Sequence, residues 1–266
     1  MSSTTVQPSP WKAGDFHIIG REQTIVGEYL CEDSDLGAGH TVLDVACGSG
    51  NTALAAARRR NAVSGIDLAP NLIERAKLRA AAEGFEMDFR TASADELPFP
   101  EESFDFVLST FGVMFAPDQQ RAANELLRVC KPGGIIAMAN WVPESLPGAM
   151  FRESMKYMPS PPPGPPPIEW GTPAGVNRLF GKRVRRARLF DRCVRSRFVS
   201  FAAWFEEFTT YFGPVNTLYG RLDESQRKAF EEEMRTIVMR YNRATDGTLS
   251  VAMSYVNVVM EKGGSG

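Results

Sequence analysis

The stretch VLDVACGSGN, residues 42–51, limits what this chain can fold into more than any other segment. Val42, Leu43 and Val45 are strand formers suited to burial on both faces, as in the middle of a parallel sheet. Gly48 and Gly50 follow at once and allow the dihedrals and the close backbone approach that a ligand-hugging turn requires. Alanines at positions 53, 55, 56 and 57 then begin a helix whose first amides face whatever sits over the turn. Asp44 stands apart, a carboxylate near the end of an apolar strand. Burying it is costly unless something pairs with it, and a positively charged ligand group would supply that partner.

The dinucleotide fingerprint GxGxxG is not met: Gly48-Ser49-Gly50 is followed by Asn51 and Thr52, and the helix packs on alanine where the third glycine would stand. The next unit narrows the reading. Residues 62–67, AVSGID, read as a second strand ending in Asp67, 23 residues after Asp44. An acidic side chain at that strand tip is where doubly wound folds hold a ribose diol. Beyond it, residues 70–83 read as a helix opened by Pro70, with Leu72, Ile73, Ala76 and Ala80 inward. Residues 87–91 and 104–110 read as the third and fourth strands, and Ser93, Ala94 and Asp95 fall at a strand's ligand-facing end. A helix then stops at Lys131-Pro-Gly-Gly, and residues 135–141 make the fifth strand.

Four segments in this order resemble the class I methyltransferases that use S-adenosylmethionine, in the small-molecule type related to quinone-biosynthesis enzymes. They are VLDVACGSGN, SGIDLAPNLIERAK, ASADELPFPEESFDFVLSTFG and ELLRVCKPGGIIAMANW, within residues 41–141. Two positions depart from the pattern: Ala46 stands where the family usually has the first glycine of the turn, and Ser93 where many members have an aspartate. The resemblance implies an α/β, doubly wound, Rossmann-like sheet of seven strands, mostly parallel with an antiparallel last strand, plus a helical cap. It also implies S-adenosylmethionine as cofactor, S-adenosylhomocysteine as product and a small-molecule acceptor. Carried onto this chain, it assigns Asp44 to the methionine amino end and the turn at Ala46, Gly48 and Gly50 to the methionine and ribose. Asp67 takes the ribose hydroxyls, Leu68 and Ala94 flank the adenine, Asp95 stands near its exocyclic amine, and Thr110 lines the methyl-donor mouth.

The flanking segments divide accordingly. Residues 1–10 are polar with little to bury and are expected to be disordered. Residues 11–40 form an N-terminal cover with a helix over 21–32, its apolar face made by Ile25, Val26, Tyr29 and Leu30. After the core of residues 41–141 come a proline-rich lid (142–180), the rest of the sheet with a helical insertion for substrate (181–262) and a tail (263–266). The lid contains PSPPPGPPP, seven prolines in nine residues, which is extended and stiff. Phe201, Trp204, Phe205, Phe208, Tyr211 and Phe212 recur at helical spacing, a stripe suited to the core and to a substrate pocket alike.

Composition removes other classes. At 266 residues with 43% hydrophobic content, the chain is a globule with ample core. A net charge of −2 argues against a general nucleic-acid or anionic-membrane binder, so nucleic acid is an unexpected partner. The four cysteines lie far apart without CxxC spacing, so neither a metal site nor a disulfide framework is expected. With no bilayer-spanning run and no signal-like N-terminus, the expected location is the cytoplasm. Residues 178–197 carry nine Lys or Arg against Asp191 alone, either a solvated strand face or a lure for an anionic substrate. The end of the fourth strand, Ser109-Thr110-Phe111-Gly112, lacks the Asn/Asp-Pro-Pro-aromatic motif of adenine amino-methylases, and no Pro-Cys nucleophile of cytosine methylases is present. Of the two histidines, His17 lies in the cover segment and is the candidate to take a proton from an acceptor.

Overall fold

The computed structural model describes residues 10–158 and 164–264. The expected disorder of the N-terminus, the first half of the proline strap and the end of the tail fall at residues 1–9, 159–163 and 265–266, outside the described residues. The chain opens with α1 (Phe16–Gly20) and α2 (Thr24–Asp33), then alternates β1 (Thr41–Val45), α3 (Asn51–Arg58), β2 (Ala62–Asp67), α4 (Pro70–Ala82) and β3 (Asp88–Thr91). It continues through β4 (Phe104–Thr110), α5 (Gln119–Val129) and β5 (Cys130–Trp141). The C-terminal part holds α6 (Leu146–Met155), α7 (Pro173–Phe180), β6 (Val184–Phe198), α8 (Phe201–Tyr211), α9 (Gly213–Tyr219), α10 (Glu224–Tyr241) and β7 (Leu249–Lys262).

The seven strands form one sheet in the order β3-β2-β1-β4-β5-β7-β6, with β7 antiparallel to both neighbours and the first five parallel. The order reverses between β1 and β4, and in such sheets the crevice at the reversal is where ligands bind. Two apolar clusters cover the two faces. One joins α2, α3 and α4 to the sheet through Leu30, Leu54 and Ile73; the other gathers α5, α8 and α10 through Leu126, Trp204 and Phe230. The fold is the seven-stranded, mostly parallel α/β sheet expected from the sequence.

Some local expectations change. The inward side of α2 is Val26, Gly27, Leu30 and Cys31, while Ile25 and Tyr29 are exposed. Gly27 packs so closely on α3 that a Cβ there would lie 2.9 Å from the Thr52 Cα, so a glycine and not a large apolar residue marks the contact. Extended backbone begins at Cys130, which pairs with Phe104, and regular pairing resumes at Ile135 after the two glycines. The arginine-rich segment is the edge strand β6, paired only through β7, with Arg185, Arg186, Arg188 and Arg197 exposed. Charges on an edge strand guard it against pairing with another chain. No helix among the described residues is long and apolar enough to cross a membrane.

Candidate active site

A cavity of 760 Å³ lies at the tips of β1, β2 and β4, under the N-terminal cover. Its floor is the glycine-rich turn. Gly48 has φ 54° and a Cβ there would meet nothing within 4 Å, so the backbone is bare toward open space. Gly50, at φ 86°, instead serves packing: its Cβ would lie 3.3 Å from that of Ala76, and it brings α3 down onto α4. Gly50 is therefore not among the lining residues, whereas Asp44, Ala46, Gly48, Asp67, Leu68, Ala94 and Thr110 are.

The two acidic residues are held differently. Asp44 is 1% exposed; the Ala53 N–H donates to its Oδ2 at 2.8 Å, and its Oδ1 has no partner. Burial pushes its carboxyl up to about 8, against the help of the Ala53 amide and with some repulsion from Asp67. An unpartnered carboxylate oxygen lining a cavity fits an ammonium group. Asp67 accepts from the Gly48 N–H through Oδ2 (2.8 Å) and from the Ala69 N–H through Oδ1 (2.9 Å), so its plane is fixed across the turn. Burial raises its carboxyl as well, with these amides opposing. Each oxygen retains a lone pair for a hydroxyl donor, as a ribose diol would supply.

Asp95 stands one bond behind the wall: Ser93 Oγ donates to Asp95 Oδ1 at 2.5 Å, and Ser93, not Asp95, lines the cavity. At the tip of β4, Thr110 Oγ1 is 2.7 Å from Thr52 Oγ1, and the Phe111 ring stacks on Trp141 at 3.6 Å and 4°. The cover closes the other side with Trp11, Phe16, Gly20 and Gln23. Two bonds tie it to the turn: His17 Nδ1 lies 3.0 Å from Ser49 Oγ, and Asn51 Nδ2 donates to the Gly20 carbonyl at 2.9 Å. Arg79 braces the same turn, donating to the Ser49 carbonyl and to Asn51 Oδ1, both at 2.7 Å.

The structure places His17 on the turn, against Ser49, and not among the residues that line either cavity. Burial, followed by Arg75 and Arg79, holds its ring below the ordinary histidine value.

A second cavity of 440 Å³ adjoins the first, and the two share Trp11, Phe16, Gln23, Phe111 and Phe115 as walls. Its far side comes from the C-terminal half: Trp204, Phe208 and Phe212 of the aromatic stripe, Leu218, Met253, and Pro165 and Pro167 of the strap. The stripe therefore serves as both core and pocket wall. The exposed arginines of β6 line neither cavity. Sequence reading missed Ser49, Asn51, Thr52 and Gln23 as parts of the first site. The first three follow the glycines so directly that their place at the helix start was a usable signal.

Comparison with known proteins agrees with this geometry. Residues 43–138 match a methyltransferase domain family. An uncharacterised protein of Mycobacterium tuberculosis is 34% identical over 255 residues, covering 95% of this chain and 92% of that one. A demethylmenaquinone methyltransferase of Thermus thermophilus is 38% identical over 104 residues, 38% of this chain and 47% of the relative. The crystal structure of a putative methyltransferase from Bacillus halodurans superposes with a TM-score of 0.62 over 89% of this chain and 98% of the other at 18% identity, a likeness of fold. With the cavity at the switch point of a β3-β2-β1-β4-β5-β7-β6 sheet, the chain belongs with the proteins that carry a methyltransferase domain, here over residues 43–138.

Proposed function

We propose that this methyltransferase binds S-adenosylmethionine in the 760 Å³ cavity and transfers its methyl group to a small-molecule acceptor held in the adjoining 440 Å³ chamber. The observation that carries the reading is Asp44 Oδ1, buried, unpartnered and in the cavity wall. Asp44 accepts from the amino group of the methionine moiety, the bare backbone at Gly48 leaves room beside it, and Asp67 accepts from the ribose hydroxyls. Leu68 and Ala94 flank the adenine, with Asp95 acting through Ser93. Phe111 lines both cavities and Thr110 precedes it in the wall of the first, where the methyl group would cross.

Methyl transfer from a sulfonium is an in-line displacement at carbon, and its main demand on the protein is alignment. Holding two reactants in register is worth roughly 7–11 kcal/mol. The shared aromatic wall fits that demand because it fixes both chambers to the same strand tips. The proline strap and the helices after β5 are the proposed lid over the acceptor.

Calorimetry tests the reading. S-adenosylhomocysteine should bind the native chain, and Asp67→Ala should lose roughly 1.5–3 kcal/mol of that binding through its charge-assisted hydrogen bonds. Unchanged affinity in a folded Asp67→Ala variant would defeat this placement of the cofactor. Label transferred from methyl-labelled cofactor into a metabolite extract separates an enzyme from a protein that binds without turnover.

A further inference from the structure

The acceptor chamber is apolar along most of its wall, and among the described residues its ionisable lining groups are two carboxylates, Glu22 and Glu207. Among the described residues, no Lys, Arg or His lines it. Glu207 is answered by Arg21, whose Nη2 donates to Glu207 Oε2 at 2.8 Å, with Glu207 16% exposed and Arg21 54%. Glu22 accepts from Ser196 Oγ, and among the described residues no cation lies within ion-pair distance of it. The trio of Arg21, Glu22 and Glu207 therefore carries one uncompensated negative charge. Burial raises the Glu207 carboxyl, with Arg21 opposing and Glu22 adding to it, so the two acids feel each other.

Position gives that charge a use. Gln23 lines both cavities, and Glu22, its neighbour in the chain, lines the acceptor chamber alone. The Glu22 carboxylate sits at Ser196 of β6, in the wall of the same chamber that Phe16, Ile19 and Phe208 line. A half-buried carboxylate whose one hydrogen-bond donor is a neutral hydroxyl still lacks a countercharge, and a polar or cationic group of the acceptor would improve its setting.

Building on the methyl-transfer reading above, we propose that the acceptor is an apolar molecule whose nucleophile bears a proton, a hydroxyl or an amine. Glu22 is the catalytic residue that holds that group and takes the proton. As the acceptor oxygen or nitrogen forms its bond to the methyl carbon, the S–CH₃ bond breaks and its electron pair stays on sulfur as a neutral thioether. The acceptor's O–H or N–H proton passes to the Glu22 carboxylate and from there to water. Carboxylate and phosphate acceptors are refused, since the chamber offers them negative charge and no cation.

Three probes that share a naphthalene ring, 2-naphthol, 2-(aminomethyl)naphthalene and 2-naphthoate, test this by calorimetry on protein saturated with S-adenosylhomocysteine. At about pH 8 the alcohol and the amine should bind, and the carboxylate should bind at least about tenfold more weakly. Glu22→Gln should weaken the amine and strengthen the carboxylate, each by about tenfold, with S-adenosylhomocysteine affinity unchanged as the check on folding. With labelled cofactor, methylation of whichever probe is accepted should fall by about a hundredfold or more in Glu22→Gln. Naphthoate binding at parity with naphthol, or no probe binding at all, overturns the acceptor class. Binding of the probes without methylation, or equal turnover in Glu22→Gln, overturns the proton-taking role. If S-adenosylhomocysteine itself fails to bind, the cofactor reading fails first, an outcome distinct from the others.

Discussion

Gly112, just past the tip of β4, lies so close to Ala46 at the tip of β1 that a Cβ on it would sit 2.4 Å from the Ala46 methyl group. The missing glycine of the turn and the glycine after β4 are therefore one arrangement. Ala46 keeps a left-handed φ of 55°, as Phe111 does opposite it, and Gly112 makes room for the methyl group. Gly112→Ala should cost about 1–3 kcal/mol of stability through overpacking and should weaken S-adenosylhomocysteine binding by displacing the strand tips. Ala46→Gly on that background should restore only part of both, because the Ala46 carbonyl oxygen remains 2.9 Å from the added Cβ. A double-mutant cycle in denaturant and calorimetry reads the coupling; strict additivity would mean that the two tips do not share this contact.

Asp44 should make the ligand-free protein less stable as pH rises. Its carboxyl is pushed up to about 8 by burial, against an ordinary value of 3.8, so the fold favours the neutral acid. That contribution is fully present below about pH 4 and is lost as pH climbs toward about 8, at a limiting slope of about 1.4 kcal/mol per pH unit. Asp44→Asn removes the ionisation while keeping the shape. Its melting temperature should exceed that of the native chain at pH 8 and decline less from pH 5 to 8, with the nearby Asp67 carboxyl still contributing some slope. The same change should weaken S-adenosylhomocysteine binding by roughly 1.5–3 kcal/mol, since the ammonium loses its charged partner. A parallel decline in both proteins would show that Asp44 ionises without penalty.

The parts of this molecule that could be read in advance are those whose cause is local. The strand, turn and helix of residues 42–51 carry their own signals, and Asp67 is found by counting from them. What escaped depends on partners distant in sequence. Gly27 reads as a weak point in a helix until Thr52 is seen against it. His17 reads as a candidate base or as a packed, hydrogen-bonded histidine, and its contact with Ser49, 32 positions away, shows only in the fold. Glu22 reads as one more surface acid, and only Ser196, 174 positions on, and the aromatic stripe of α8 turn it into a chamber wall. Ser93 drew attention as a departure, but its hydrogen bond to Asp95 keeps an acid behind that wall.

His17 should act on the cofactor through the cover and not on the acceptor's proton. Its ring is held below the ordinary value of 6.5 by burial and by the charges of Arg75, Arg79 and Arg21, with Asp15 alone opposing. The ring at Ser49 is therefore held toward its neutral form, and as pH falls an imidazolium forms against the charges of Arg75 and Arg79, which opposes the seat of the cover on the turn. Native affinity for S-adenosylhomocysteine should drop on the acid side of the ordinary histidine value of 6.5. His17→Gln should lower affinity at neutral pH by less than about tenfold and flatten that drop. If the variant instead leaves affinity untouched and abolishes the acidic limb of turnover at saturating cofactor, the histidine belongs to proton transfer after all.

The proline strap should govern the acceptor chamber alone. Its described end places Pro165 and Pro167 in that chamber's wall and neither in the cofactor cavity. Among the described residues, Gln119 Nε2, at the start of α5, donates to the Pro165 carbonyl at 2.8 Å, and Gln119 lines the same chamber. Proline supplies no N–H of its own, so such ties from neighbouring side chains help to fix the course of the strap. Replacing residues 159–167 by a flexible Gly-Ser linker of equal length should leave S-adenosylhomocysteine affinity unchanged. It should lower turnover of an accepted acceptor by about tenfold or more, because the chamber then has to be ordered at each encounter. Gln119→Ala, which cuts this tie and the longer 3.5 Å bond from Arg178, should show the same pattern to a smaller degree and raise KM more than it lowers kcat. Equal losses of cofactor affinity and turnover in the linker variant would make the strap a support for the whole domain, and no loss in either would remove it from the site.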